Sequence, residues 1–203
     1  MDTQLQALYS RAWDELAEGA RRSRHPFHIG TLATVTRNTD GTNGADCCSM
    51  VLREANRSCA RLLIHTDWRS PKVARIEAHP SVGWLCFDPL ERFQVRIQAQ
   101  ARVEKDSELV DRRWDDASLN ARRCYLCDPS PGTEADVPVS GLPPRLETEH
   151  PKRAESEHGR HNFAVLVLDV VSVETLELSA CGHRRARFLI ADHRIKDASW
   201  LVP

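Results

Sequence analysis

The sequence predicts a mainly β protein with flanking helices, its strands closing into an antiparallel barrel. Three observations carry this reading. About seven short runs have strand character, few helices stand between them, and residues 93–103 alternate so that Phe93, Val95, Ile97, Ala99, Ala101 and Val103 share one face. No segment repeats at a fixed period, which removes solenoids and propellers.

The elements follow in order. Leu5, Leu8, Tyr9, Trp13, Leu16 and Ala20 recur at helical spacing, with Glu15, Glu18, Arg21 and Arg22 filling the other face. Residues 1–25 therefore open the chain as an amphipathic helix, closed by His25-Pro26. Residues 27–35 form a strand that runs into the turn signal Asn38-Thr39-Asp40-Gly41, and a second strand spans 49–53. A third strand, 60–65, stops where Ser70 can cap a short helix whose first position is Pro71 and which runs to about His79. The apolar run 82–87 is a strand closed by Asp88-Pro89, and the alternating strand 93–103 follows it. Ser107 can cap a helix through Trp114 or beyond. Residues 128–160, dense in Pro, Glu, Ser and Gly without an apolar period, read as a long surface loop. Two late strands, 162–173 and 187–190, complete the set.

Composition narrows the class. The 203 residues favour one domain, 1–203. Lys and Arg (28) nearly cancel Asp and Glu (29), so no bulk attraction to nucleic acid or to a membrane follows. The longest apolar run, 163–171, is interrupted by Asp169 and falls short of the roughly 18–20 residues that a membrane helix needs. The opening residues lack the basic and then apolar order of a secretory signal, which points to the cytoplasm. Seven cysteines, an odd and scattered set that includes the adjacent Cys47 and Cys48, read as reduced thiols rather than a disulfide framework.

Three clusters could carry chemistry. The segment Ile64-His65-Thr66-Asp67-Trp68-Arg69-Ser70-Pro71-Lys72 places hydroxyls and a lysine around a helix N-terminus just after a strand. Free amides of Lys72 and Val73, the helix dipole, and donors on Thr66, Ser70 and Lys72 would suit a phosphate, and Arg53 could add charge. The same Ser-Pro pair also serves as plain capping. Gln94 and Arg96 lie on the face opposite the apolar one, where an amide could read a ring edge or simply form the polar side of the strand. The basic tract 181–188 could hold an anion or be an exposed turn. Cys124 and Cys127 with His158 and His161 could hold zinc, and His65 and His183 could ligate haem iron.

No glycine-rich phosphate motif, acid pair, Ser/His/Asp order or HExxH motif is present. A cofactor would have to carry any reaction.

Taken in order, the matching pieces are Ser49-Met50-Val51-Leu52-Arg53, His65-Thr66 with Ser70 and Lys72, the strand 82–87, and Leu90-Glu91-Arg92 before Gln94-Val95. His183-Arg184, Arg187-Phe188 and the terminal Leu201-Val202-Pro203 close the series. From about Phe27 onward the chain resembles the pyridoxamine 5'-phosphate oxidase-like family of FMN-binding split barrels. The resemblance implies a Greek-key split barrel that works as a homodimer, with FMN in clefts at the subunit interface and a small-molecule redox substrate. It implies that Ser49, Met50, Val51, Leu52 and Arg53 run along the flavin and that His65 and Thr66 meet its ring or ribityl side. Ser70, Pro71 and Lys72 would form the phosphate turn, and Gln94 would approach the isoalloxazine edge. Arg187 would come from the second subunit, and Arg184 and Arg123 would be substrate-binding candidates.

The chain also departs from the oxidases. It has Cys48 where they open the flavin strand with an arginine, Pro71 beside the phosphate lysine, Leu178 near a flavin-contacting tryptophan, and no histidine between Arg184 and Arg187. These losses fall mainly on groups that grip pyridoxal phosphate. The stretch 114–132, with Arg122, Arg123 and Pro131-Gly132, resembles a broader subfamily of FMN-binding relatives. A flavin-dependent oxidoreductase is the leading expectation, and a flavin-binding module without turnover is the alternative.

Overall fold

Helix α1, Thr3–Arg21, opens the computed structural model, which describes residues 2–203. Asp2 caps it by accepting from the Gln4 amide at 3.0 Å. Leu5, Leu8, Tyr9, Ala12, Trp13 and Leu16 are buried, as their helical spacing requires. A 3-10 turn, Pro26–His28, then redirects the chain. Gly19 permits that turn to close on the helix, because a Cβ there would lie 2.6 Å from the carbonyl group of Phe27.

The strands among the described residues are β1 Ile29–Arg37, β2 Asn43–Asn56, β3 Arg61–Asp67, β4 Ser81–Asp88, β5 Phe93–Glu104, β6 Phe163–Glu177, β7 Arg184–Ala191 and β8 Arg194–Leu201. They lie in one sheet in the order β3-β2-β1-β4-β5-β6-β7-β8, with a further pairing of β3 to β6. The pairings of β1 with β2 and β4, of β2 with β3, of β4 with β5 and of β7 with β6 and β8 are antiparallel. The architecture is therefore a large antiparallel sheet with helices. Strand β8 is additional to the seven runs read from the sequence.

Period two decides most of the sheet. In β5, Phe93, Val95, Ile97, Ala99 and Ala101 are buried while Arg96, Gln98 and Gln100 are exposed. In β4, Val82, Trp84 and Cys86 are buried, but Leu85 and Phe87 face outward. In β6, residues 163–168 are all buried, and the interrupting Asp169 accepts from Arg61 Nε at 2.8 Å and pairs with Arg102.

The chain forms two compact units, each drawn from separated stretches. The first comprises Met1–Ile64, Arg75–Arg102 and Val167–Pro203, and the second His65–Ala74 and Val103–Leu166. In the second unit, Trp114, Tyr125, Phe163 and His65 form an aromatic core, with ring centroids 4.8 Å apart for His65–Phe163 and 5.0 Å for Tyr125–Phe163. Helices α2, Pro71–Ala78, and α3, Glu108–Asp116, lie close to their expected positions, and a separate short helix, α4, Leu119–Arg123, follows behind its own Ser118 cap. Ser107 occupies the N-cap position of α3, yet its hydroxyl makes no capping hydrogen bond.

Residues 128–160, read as a surface loop, carry more structure than that reading supplies. A 3-10 turn, Pro144–Glu147, helix α5, Arg153–Ser156, and a second turn, Glu157–Asn162, follow the irregular part, and Leu146 and Ser156 are buried. The anchor is Arg122, whose side chain is 1% exposed. It donates to the Trp114 carbonyl at 3.0 Å, to Ser156 Oγ at 3.3 Å and to Glu157 Oε1 at 2.5 Å, and stacks 4.6 Å from the Trp114 ring.

Candidate functional site

In the second unit, strand β3 delivers its last residues straight into the N-terminus of α2. Thr66, Asp67 and Ser70 are buried there. The Asp67 carboxylate accepts from the Arg69 amide (2.8 Å), Nε (3.1 Å) and Nη2 (2.8 Å). That pairing holds the Arg69 guanidinium above the usual arginine range, and it neutralises the one carboxylate in the turn. Arg69 also donates to the carbonyls of Cys127 and Asp128, each at 2.9 Å. Lys72 Nζ donates to Ser70 Oγ at 2.5 Å, and the Thr66 hydroxyl lies 3.4 Å from the Asp67 carbonyl. His65 stands edge-on to Phe163.

The sequence reading counts the Lys72 and Val73 amides as free donors; the Val73 amide is not free, since it donates to the Ser70 carbonyl at 2.9 Å. The anion-type character of the turn therefore rests on Thr66, Ser70, the Lys72 ammonium and the helix dipole rather than on a row of free amides. Gly132, at φ +87°, lies over this turn; a Cβ on it would be 3.3 Å from Pro71 Cγ.

In the first unit, residues of β1, β2, β4, β5, β6 and β7 line a cavity of about 650 Å³. It brings together Gln94 and Arg187, two residues singled out from the sequence, with Arg96, Glu174, Cys47 and Leu189 beside them. Trp84 and Leu85 contribute apolar surface. Glu174 Oε1 accepts from Arg96 at 3.0 Å and from Arg185 at 2.9 Å and 3.0 Å.

Strand geometry separates the late arginines. Arg187 opposes Glu174, whereas Arg184, three residues away, opposes Glu177 and falls on the other face. Arg184 pairs with Glu177 Oε2 at 2.5 Å, and Arg11 reaches Oε1 of the same carboxylate at 2.8 Å. Arg123, in the second unit, donates to the Leu146 carbonyl at 3.3 Å.

The residues Ser49, Met50, Val51, Leu52 and Arg53 do not act as one row. Ser49 opposes Thr31 and Val51 opposes Ile29, on the same face as Cys47, while Leu52 is fully buried on the other. Arg53 is the extra residue of a β-bulge between Leu52 and Glu54, and it lines a groove with Asp14, Glu18 and Arg21 of α1.

The zinc reading is corrected as well. Among the described residues no three His, Cys, Asp or Glu side chains converge as a metal site. Cys127 Sγ instead contacts the Ser140 carbonyl at 3.5 Å, and His158 lines a surface cleft with Arg145, Glu149 and Lys152. His183 Nδ1 accepts from the Ser179 amide at 3.1 Å inside an exposed turn. Sequence reasoning missed Glu174, although Ser172 and Glu174 recur at period two after an apolar run and mark a polar face.

Residues 10–105 match the family described as pyridoxamine 5'-phosphate oxidase, FMN-binding domain. Among solved structures, the fold is like that of a pyridoxamine 5'-phosphate oxidase-related, FMN binding protein from Nostoc punctiforme PCC 73102. That structure is 22% identical with a TM-score of 0.70, over 96% of each chain. PhzG from Burkholderia lata 383, solved in complex with tetrahydrophenazine-1-carboxylic acid, is 18% identical with a TM-score of 0.67, over 100% of this chain and 98% of that one. A protein of the pyridoxinephosphate oxidase family from Clostridium acetobutylicum, related to general stress protein 26, is 10% identical with a TM-score of 0.53, over 91% and 98%. No curated protein matches the chain.

Proposed function

Because the chain matches the pyridoxamine 5'-phosphate oxidase-like FMN-binding fold family, we propose that it binds FMN and acts as a flavin-dependent oxidoreductase on a small molecule. The observation that carries this reading is the turn at 65–72, where two buried hydroxyls and a lysine stand at a helix N-terminus and the only carboxylate is already neutralised. That donor set suits a phosphate monoester. Thr66, Ser70 and Lys72 would hold the FMN phosphate, with Pro71 shaping the turn and His65 on the ribityl side.

The flavin, when bound, supplies the electron transfer, and the protein supplies position and electrostatics. Gln94 and Arg187 are proposed for the flavin ring, and Ser49, Met50, Val51, Leu52 and Arg53 for contacts along the cofactor. The outward placement of Ser49 and Val51 supports the role for those two. Arg184 and Arg123, proposed for substrate, would have to exchange Glu177 and the Leu146 carbonyl for it. The absent phosphate-gripping histidine argues for a substrate other than pyridoxamine phosphate.

A homodimer is part of the proposal. Leu85, Phe87, Leu189 and Trp200 of the sheet are exposed in the single chain, and a second copy would cover them. The whole chain, 1–203, is proposed as one FMN-binding domain, since the Nostoc protein matches 96% of it. Among the described residues no helix is long and apolar enough to cross a membrane. With a net charge of -1, neither nucleic acid nor a membrane is proposed as a partner, and the cytoplasm is the proposed compartment.

Anaerobic mixing of the FMN-loaded protein with each reduced nicotinamide cofactor tests the activity. Bleaching of the flavin absorbance, with turnover on an added electron acceptor, is the expected result. Tight FMN binding with no reduction by either donor would leave a flavin-binding module and remove the oxidoreductase.

A further inference from the structure

We propose that a groove lined by Tyr9, Arg57, Ser58, His193, Arg194 and Ile195 is a binding site for a small phosphorylated molecule, distinct from the turn at 65–72. The groove has a volume of about 490 Å³, within the range of small-molecule sites, and all six residues belong to the first unit.

Helix α1 and two hairpin turns meet there. The Tyr9 and Phe188 ring centroids are 5.1 Å apart, which ties α1 to β7, and the Arg57 guanidinium carbon lies 5.0 Å from the centroid of the same Tyr9 ring. Arg57 belongs to the turn between β2 and β3. Asn56 Oδ1 locks that turn by accepting from the Ser58 amide at 3.1 Å and the Ser58 hydroxyl at 2.7 Å, and the Ala60 amide donates to the Arg57 carbonyl at 3.2 Å. Arg57 Nη1 donates to Ser10 Oγ at 3.2 Å, so the guanidinium is held between an aromatic face and a hydroxyl before any ligand arrives. His193 and Arg194 come from the turn between β7 and β8.

The charges in the groove are of one sign. Among the described residues neither Arg57 nor Arg194 has a carboxylate partner, and no acid lines the groove. The acid beside it in sequence, Asp192, is taken by Lys196 at 3.0 Å. Two guanidinium forks without counter-ions, joined by an imidazole, match the charge and the several oxygens of a diphosphate better than they match a single carboxylate. Half-buried Ile195 and the edge of Tyr9 offer apolar surface to the rest of such a molecule.

Backbone conformation marks the same place. Four described non-glycine residues have positive φ, and three of them, Ala60 (48°), Asp192 (50°) and His193 (61°), stand in the two turns that frame the groove. A tight hairpin needs such dihedrals, but glycine or asparagine adopts them with less strain. The chain instead sets an imidazole at 193, on the groove wall. Strain retained where a less strained residue would serve the turn points to a role for the side chain.

The test is calorimetric titration of pyrophosphate into the full chain carrying Lys72→Ala, which removes the lysine of the 65–72 turn, and into the same chain with Arg57→Gln, Arg194→Gln or His193→Gly added. The expected result is one saturable equivalent, bound more weakly as salt is added. Each glutamine variant should bind about tenfold more weakly, and His193→Gly about threefold more weakly while melting no lower than its parent. Arg194 is exposed and without an ion-pair partner, so its variant keeps the fold and isolates the loss of binding. No saturable heat at millimolar pyrophosphate, or binding unchanged in both glutamine variants, overturns the site. Citrate bound more tightly than pyrophosphate overturns the phosphate class. Each of these outcomes reads the same whether or not the chain binds FMN.

Discussion

Replacing Arg122 with Met removes the one buried cation that ties the 153–162 stretch to α3, and its cost can be worked from the contacts. The Trp114 carbonyl, which accepts from Arg122 Nε at 3.0 Å, is left without that donor. That carbonyl keeps the Ala117 amide at 3.1 Å, so what is lost is one charge-assisted hydrogen bond, about 1.5–3 kcal/mol. Glu157, in contrast, is 48% exposed, so its carboxylate rehydrates and the lost ion pair contributes no more than about 1 kcal/mol. Loss of the guanidinium stacked 4.6 Å from Trp114 is partly recovered by the Met thioether against the indole. The sum is about 3 kcal/mol, which for a chain of this size lowers Tm by roughly 9 °C. Urea unfolding followed by tryptophan fluorescence measures it, with Glu157→Gln as the companion expected to lose under about 1 kcal/mol. A loss below about 0.5 kcal/mol for Arg122→Met would refute the anchoring role.

Other expectations are simpler to state. Gly30→Ala would place a Cβ 2.2 Å from Trp84 Cζ2, against an indole that is only 1% exposed, so a loss of about 1–3 kcal/mol is expected in thermal melts. A variant as stable as the parent would contradict that packing. Glu157 is held below its ordinary value of 4.5, first by the Trp114 indole N–H and then by Arg122. Its stabilisation is therefore complete above that value and is lost as pH falls through the lower folded pKa, so the urea midpoints of wild type and Glu157→Gln should converge as pH is lowered below 4.5. Midpoints that stay equally far apart would deny the role. Burial pushes the Cys86 thiol up to about 12, so iodoacetamide at about pH 8 is expected to spare Cys86 in the native protein and label it after unfolding. Labelling of the native form would mean that the Cys86 environment opens.

How far the sequence could be read varied with the kind of signal. Periodicity located α1 and the faces of β5, because a single buried face imprints a 3.6- or 2-residue rhythm. Strand β8 escaped because its hairpin turns on Asp192 and His193, both at positive φ (50° and 61°), rather than on an Asn-Gly or Asp-Gly pair. The short helices after Pro144 escaped because Arg122, and not an apolar stripe, holds them. In the candidate site, the parts of the cluster at 65–72 are contiguous, so their nearness can be read directly, and strand alternation puts Gln94 on the polar face, whereas Arg187 is implied only by the family resemblance. Arg53 stands apart from Ser49 and Val51 because a bulge changes which way a strand residue points, and a bulge has no rhythm to read. Arg184 and Arg187 lie close in sequence, but an odd spacing on a strand sends the two to opposite faces.

The central claim is that the turn at 65–72 holds the phosphate of FMN, and its most direct test is a pair of titrations, FMN against phosphate-free riboflavin, in wild type and Lys72→Ala. Wild type is expected to bind FMN with a flavin spectrum and to bind riboflavin more weakly. Lys72→Ala, having lost a charge-assisted contact of about 1.5–3 kcal/mol, should lose roughly 10- to 100-fold in FMN affinity and little in riboflavin affinity. A protein that ignores FMN, or a Lys72→Ala variant that binds it as wild type does, would contradict the account.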